Sequence, residues 1–313
     1  YKIQKILGKG TFGRVYSVKY LKDNKRYAMK KINVRGHQRK DIRNTVDELR
    51  ILAFNKCPYI LSLKTVFMGH IDLCIITDLA PCGDLYQKIN KTRIRKRKID
   101  DSQIWNYLCQ ISVGLKYLHD HFIIHRDLKT ANILLFHNEK KIKIADFGIS
   151  RILSSQQISS GTQIGTPQNM GPEIISNQFY DTKIDMWALG CVLYEMINLE
   201  PAFKCRTWNV LKKLVSIGKY SLSPEEYYQQ FDNILQNLLQ INPDKRWSID
   251  ELLKTDIMKE NIDKNCIQTE FESTKFRRIA VPKSMYSWKR SVNQLISIQK
   301  NRVSHRLNKI SNK

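Results

Sequence analysis

Four short stretches carry charged and amide side chains at spacings suited to chemistry on phosphates. Gly8-Lys9-Gly10-Thr11-Phe12-Gly13-Arg14-Val15 places three glycines where the backbone can fold closely over an anion. Tyr27-Ala28-Met29-Lys30 ends on an ammonium able to reach nucleotide phosphates, and Glu48 can pair with Lys30 and hold it in place. His125-Arg126-Asp127-Leu128-Lys129-Thr130-Ala131-Asn132 offers a carboxylate at 127, an ammonium two residues on and an amide five residues on. Asp146-Phe147-Gly148 adds a second carboxylate after the strand-like run Lys143 to Ala145. Taken alone, the glycine motif suits a structural turn as well as it suits phosphate binding.

The elements around these residues narrow the choice. Tyr1 to Leu7, Arg14 to Tyr20 and Arg26 to Val34 read as short strands, with Lys22-Asp23-Asn24-Lys25 as a hairpin turn. The glycines therefore lie between two strands. A dinucleotide fingerprint of the same form would instead open a helix in a parallel βαβ unit. Ile42, Val46, Leu49 and Leu52 recur at helical spacing up to Pro58, and 60–67 and 71–77 read as two further strands. The predicted N-terminal module is thus a small, mainly antiparallel sheet with one helix. After Ala80-Pro81-Cys82-Gly83 the pattern turns helical, with helices expected over 102–120, 183–198, 207–217, 225–240 and 248–258. The expected organisation is α+β, with lobes at 1–79 and 80–259 and an extension at 260–313.

Composition bounds the rest. The 313 residues include 53 Lys+Arg against 29 Asp+Glu, a net charge of +24, while 42% apolar residues suffice for a sizeable core. Cysteines 57, 74, 82, 109, 191, 205 and 266 are scattered, without a C-x-x-C pair, which argues against a disulfide framework or zinc cage and fits a reducing compartment. No apolar run approaches the roughly 20 residues of a membrane-spanning helix. A soluble intracellular protein is expected. Two basic stretches stand apart: 91–98 holds six cations in eight positions, and 273–313 holds eleven Lys or Arg and no acid.

Taken in order, these motifs resemble the signature set of the eukaryotic protein kinases over residues 1 to about 259. The resemblance implies a two-lobed fold, with a small antiparallel β-sheet N-lobe carrying one helix and a larger, mainly helical C-lobe. It implies ATP and Mg²⁺ as cofactors and serine or threonine hydroxyls of proteins as acceptors, because Lys129 follows Asp127 by two residues. By the same resemblance Asp127 is the base, Lys129 balances charge on the moving phosphoryl group, and Lys30 with Glu48 holds the phosphates. Asn132 and Asp146 are the expected metal ligands. Gly8, Gly10, Gly13, Val15, Ala28, Thr77, Asp78, Ala80, Asp84 and Leu134 would form the nucleotide pocket. Plain core packing explains the small and apolar members of that group equally well. Thr162 falls at the usual activating phosphothreonine, modified by an upstream kinase or by the chain itself, with Arg126 as its partner. Thr166 matches the threonine that bonds Asp127 and Lys129. Glu173 is expected to pair with Arg246 in the interior, and Asp185 to anchor the catalytic-loop backbone.

Local phrases are similar to the NIMA-related (never-in-mitosis A) kinases, notably Gly83-Asp84-Leu85-Tyr86, Asp146 to Arg151, Ile164-Gly165-Thr166-Pro167 and Asp185 to Cys191. That likeness implies a setting in the cell cycle, at centrosomes or basal bodies, or in cilia, with cytoplasmic, cytoskeletal or nuclear locations. The chain departs from that pattern at Gln168-Asn169-Met170-Gly171, where the subfamily usually reads Tyr-Tyr-Met-Ser. Two aromatics beside the phosphoacceptor have become amides, which puts substrate selection in question.

Two other function classes remain open on sequence grounds. One is a kinase-fold scaffold that signals by contact, although such chains usually lose one of the three positions filled here by Lys30, Asp127 and Asp146. The other is recognition of a polyanion through the basic surface. The tail from 284 carries Trp288, Val292, Leu295, Ile296, Val303, Leu307 and Ile310. It reads as a solvated extension, as a partner-binding helix, or as a calmodulin-type target.

Overall fold

The structure, a computed structural model, describes residues 1–10, 13–34, 56–69, 72–146, 167–205, 207–220 and 229–271. The helix expected over 42–52 with Glu48, the residues from Phe147 to Thr166, and the tail from 284 lie outside these. The chain divides into two compact units, one built from residues 1–55, 61–79 and 273–313, the other from 56–60 and 80–272.

The described part of the first unit is a five-stranded antiparallel sheet. Its strands are β1 (Lys2–Gly10), β2 (Gly13–Lys19), β3 (Arg26–Asn33), β4 (Leu63–Met68) and β5 (Asp72–Asp78), in the order β1-β2-β3-β5-β4. Side chains alternate across such a sheet. Val18, Met29, Cys74 and Ile76 form a buried cluster on one face, with Tyr16 and Tyr27 packed against it. The run expected as a strand over 60–67 starts later than its apolar residues suggest. Ile60 is fully buried in the other unit, bridged to Ile144, and the Ile144 N–H donates to Tyr59 O at 2.8 Å.

The second unit is mainly helical. It contains α1 (Leu85–Ile94), α2 (Asp101–Asp120), the strand pair β6 (Ile133–Phe136) and β7 (Lys141–Ile144), α3 (Pro172–Ile175), α4 (Lys183–Asn198), α5 (Trp208–Ile217), α6 (Gln229–Leu238), α7 (Ile249–Lys254) and α8 (Asp256–Lys264). Helix α4 is buried from Ile184 to Ile197, as its nearly unbroken apolar sequence demands. Helix α1 was not expected. Its N-cap is Asp84, whose Oδ1 accepts the Gln87 N–H at 2.8 Å, and it buries only Leu85 and Ile89. The single helix expected over 248–258 is two. Ser248 and Glu251 form a capping box that starts α7, and Thr255, in extended backbone at ψ 143, ends it and occupies the N-cap position of α8 without a side-chain capping bond.

Residues beyond α8 fold back along α2. Asn106 Nδ2 donates to Asn265 Oδ1 at 3.3 Å, and the Gln268 N–H donates to the Tyr59 hydroxyl at 3.0 Å. The Phe271 ring stands edge-on to Tyr59 and Tyr117, with centroids 6.4 and 5.9 Å away. Among the described residues no helix is long and apolar enough to cross a membrane.

Candidate active site

In the first unit, strand register decides which of the singled-out residues can act together. Val15 stands opposite Lys30 across β2 and β3, and Ala28 stands opposite Thr77 across β3 and β5. Directly opposed residues and next-but-one neighbours share a face. Val15, Ala28, Lys30 and Thr77 therefore lie together on the face away from the Val18–Met29–Cys74–Ile76 cluster. Gly8 pairs with Val15, and Gly10 with Gly13 closes the hairpin. A Cβ on Gly13 would stand 2.0 Å from the Lys31 carbonyl oxygen, so only glycine allows that approach. The Asp78 carboxylate is engaged on the other face, where Lys64 Nζ approaches it at 2.9 Å.

In the second unit, the segment from His125 to Asn132 is held by a dense set of hydrogen bonds. Lys129 Nζ donates to both Asp127 oxygens, at 3.1 and 2.9 Å. Asn132 Nδ2 donates to the Asp127 carbonyl at 2.7 Å and to its Oδ2 at 3.1 Å. Carboxylate, ammonium and amide thus converge, as their spacing allows. The 3₁₀ turn Thr130–Asn132 brings the amide back toward Asp127. Ala145 N–H donates to the Asn132 carbonyl at 2.8 Å, so Asp146, the next residue, leaves β7 beside this turn. Asp146 and Arg126 both adopt left-handed backbone, at φ 57 and 67, a conformation that costs a non-glycine residue energy and needs support from its surroundings.

That support comes from below. Asp185 of α4 accepts the His125 N–H on Oδ2 at 2.8 Å and the Arg126 N–H on Oδ1 at 2.9 Å. His119 Nε2 lies 2.9 Å from the same Oδ2. The His125 ring spans the site. Its Nδ1 accepts the Asp127 N–H at 3.2 Å, which leaves the proton on Nε2 to donate to the Ala145 carbonyl at 3.0 Å. Thr130 Oγ1 donates to Glu195 Oε2 at 3.0 Å inside the unit. Burial raises the Glu195 carboxyl above its ordinary value, only partly opposed by the Thr130 hydroxyl and by Arg93.

Several of these partners were not legible locally: His125 as a two-ended tie, the Thr130–Glu195 bond, and Asn169. The Asn169 amide donates to the Leu128 carbonyl at 3.2 Å, so one of the two departures noted in the sequence braces the loop that carries Asp127. The expected Glu173–Arg246 pair is present, with Nη1–Oε1 at 2.6 Å and Nη2–Oε2 at 3.1 Å. Asp84 is more occupied than expected. Gln87 Nε2 donates to its Oδ2 at 2.6 Å, its Oδ1 caps α1, and its backbone bridges Leu134. Burial is the main cause of a raised Asp84 carboxyl. The Arg126 guanidinium lies 5.9 Å from the Tyr180 ring centroid. Glu48, Thr162 and Thr166 lie outside the described residues.

The donors near Asp127 suit a hard divalent cation. Asn132 gives its amide nitrogen to Asp127, which leaves its oxygen as an available donor, and Asp146 follows Ala145, whose N–H is bonded to the Asn132 carbonyl. Oxygen donors in so small a number fit Mg²⁺, which keeps several waters. Among the described residues no group of three or more His, Cys, Asp or Glu could hold a metal as a cage.

Known proteins share this pattern. The family model described as "Protein kinase domain" matches residues 1–258. Mouse serine/threonine-protein kinase Nek4 is 34% identical over 263 residues, covering 84% of this chain and 33% of the relative. Mouse serine/threonine-protein kinase Nek1 is 35% identical over 264 residues, covering 84% and 22%. Human serine/threonine-protein kinase Nek5 is 33% identical over 304 residues, covering 96% and 42%. The chain spans less than half the length of each of these relatives.

Proposed function

The chain belongs to the protein kinase family, and on that premise we propose that it transfers the γ-phosphoryl group of ATP to serine and threonine hydroxyls of proteins. One observation carries this reading: Lys129 and Asn132 both donate to Asp127, at 2.9 and 3.1 Å, on a loop braced by Asp185. Phosphoryl transfer needs positioned groups and balanced charge more than covalent chemistry from the protein. Asp127 orients the acceptor hydroxyl and takes its proton, and Lys129 offsets negative charge beside it. Asn132 and Asp146 are the residues that would hold Mg²⁺, which supplies charge neutralisation on the phosphates when bound. Lys30 is assigned to the phosphates, and Glu48 to holding Lys30. The glycine hairpin, Val15, Ala28, Thr77, the Asp78–Ala80 backbone, Asp84 and Leu134 are assigned to the rest of the nucleotide.

Regulation is assigned to phosphorylation of Thr162, with Arg126 as its receiver and Thr166 supporting Asp127. The likeness to Nek kinases supports a role in the cell cycle, at centrosomes or basal bodies, or in cilia. The test is transfer of labelled phosphate from Mg·ATP to a serine/threonine peptide library and to the chain itself, comparing the parent with Asp127→Asn and Asp146→Ala. Label on serines and threonines in the parent, lost in both variants, is the expected result. A parent that transfers nothing even when Thr162 is phosphorylated would sink the reading.

A further inference from the structure

The basic run at 91–98 is not absorbed by the phosphoryl-transfer reading. From Leu85 to Ile99 there is no Asp or Glu. Lys91 and Arg93 lie in the last turn of α1, where cations complement the helix dipole. Arg95, Lys96, Arg97 and Lys98 follow the helix, and the dipole no longer accounts for them. Residues 93–98 are all exposed, whereas Ile99 behind them is buried. Among the described residues no carboxylate pairs with Arg95, Lys96 or Arg97. Like charges this crowded repel one another, which an anionic partner would relieve.

Position supplies the second argument. Helix α1 is fastened at its start to β6, through Leu135 N–H to Gly83 O at 2.9 Å and the Asp84–Leu134 bridge. Its body packs against the 3₁₀ turn Thr130–Asn132 of the catalytic loop. Its far end brings Arg93 to act on Glu195, the residue that receives the Thr130 hydroxyl. The exposed cations therefore follow a helix that packs on the segment carrying Asp127, Lys129 and Asn132. A substrate chain with its acceptor at Asp127 and its flank running along this helix would meet them.

We propose that Arg93, Arg95, Lys96 and Arg97 form a docking surface for acidic or phosphorylated residues flanking the acceptor in a protein substrate. The inference rests on the kinase reading and adds the substrate class. An acidic peptide suits the surface better than nucleic acid or lipid. The run from 91 to 98 contains no aromatic on which a base could stack, and its one apolar side chain, Ile94, leaves little to insert into a bilayer.

The test uses the full chain and three peptides that differ only in flanks: acidic, neutral and basic. Their kcat/KM values are compared for the parent, for Arg95→Glu/Lys96→Glu/Arg97→Glu, and for a control with the same charge change, Lys212→Glu/Lys213→Glu/Lys219→Glu. At low salt the parent and control should favour the acidic peptide over the basic one by about tenfold or more, fading by about 0.5 M NaCl as screening shortens. The first triple variant should lose or invert that preference while phosphorylating the neutral peptide as the parent does. Equal preference in the two triple variants would overturn the proposal, as would a parent that favours the basic peptide. Anisotropy of an acidic peptide carrying alanine at the acceptor tests docking without catalysis. Binding weakened by the first triple alone supports the surface even if no phosphate is transferred. Binding of RNA or anionic vesicles, with no peptide binding, lost in that same variant would overturn the choice of partner.

Discussion

The carboxylate of Asp185 lies 2.8 Å from the backbone nitrogen of His125, and its other oxygen lies 2.9 Å from that of Arg126. One buried side chain on α4 therefore sets the backbone just before Asp127, including the left-handed turn at Arg126. Asp185→Asn would keep an oxygen for one N–H but lose the charge and present an NH₂ where the other N–H points. The expected cost is about 2–4 kcal/mol, since a buried donor is left unmatched. Urea unfolding should show this loss together with a phosphotransfer rate reduced tenfold or more. Full activity in the folded variant would show that the loop does not depend on this anchor.

Glu195 makes stability depend on pH in a defined direction. Its folded-state value is raised above 4.5, chiefly by burial, so the folded chain holds a proton that the unfolded chain has released. The contribution of Glu195 is therefore fully present below about pH 4.5 and is lost as pH rises through the folded value. Glu195→Gln keeps an acceptor for Thr130 and removes the titration. Relative to the parent, the variant should gain more stability at about pH 7.5 than at about pH 5. The reverse order in urea melts would mean that the charged carboxylate stabilises the fold.

Arg246 should be among the least replaceable residues outside the site. It is buried, pairs with Glu173 through two bonds, and donates to the Lys183, Gln240 and Ile241 carbonyls at 2.8, 2.9 and 3.4 Å. Its guanidinium also lies 5.1 Å from the Trp187 ring centroid. Arg246→Met should cost about 3–5 kcal/mol, because Glu173 is left charged and alone. Joining it with Glu173→Gln should recover part of that loss, and a double-mutant cycle by thermal unfolding measures the coupling.

Asn169 offers a sharper test of the loop. Its amide makes one hydrogen bond, to Leu128 O, so Asn169→Ala should cost only about 1 kcal/mol in stability. Its larger effect should fall on catalysis, as a several-fold drop in kcat with KM for ATP unchanged. A drop in stability alone, with kcat intact, would make the bond merely structural.

The returning segment after α8 should contribute measurably to the second unit. Phe271 is half-buried against Tyr59 and Tyr117. Phe271→Ala should cost about 1–2 kcal/mol in urea unfolding, in line with partial loss of an aromatic side chain. An unchanged midpoint would show that the ring adds nothing to the fold.

The amino-acid order alone determined the glycine hairpin between two strands, the ordered series of charged motifs and the helices that are strongly apolar on one face. These signals are local: alternation marks β2 and β3, and an unbroken apolar run marks α4. The cap of α1 was also present in the sequence, since Asp84 and Gln87 stand at capping spacing, but the basic residues that follow obscured the short apolar stripe of Leu85 and Ile89. The break at Thr255 was hidden because apolar residues on both sides keep helical spacing.

Only the tertiary structure decided which polar groups meet inside. Thr130 and Glu195 are 65 residues apart, and Asn169 reaches back 41 residues to Leu128. No periodicity couples such positions. They are chosen because a buried donor or acceptor without a partner is costly, so the chain settles where each finds one. Ile60 shows the same rule for apolar groups: its strand-like neighbours predict a place in the first sheet, yet its burial beside Ile144 delays β4 to Leu63. Residue types and spacing specified what chemistry the loop can carry, and long-range burial and hydrogen bonding decided how that loop is held.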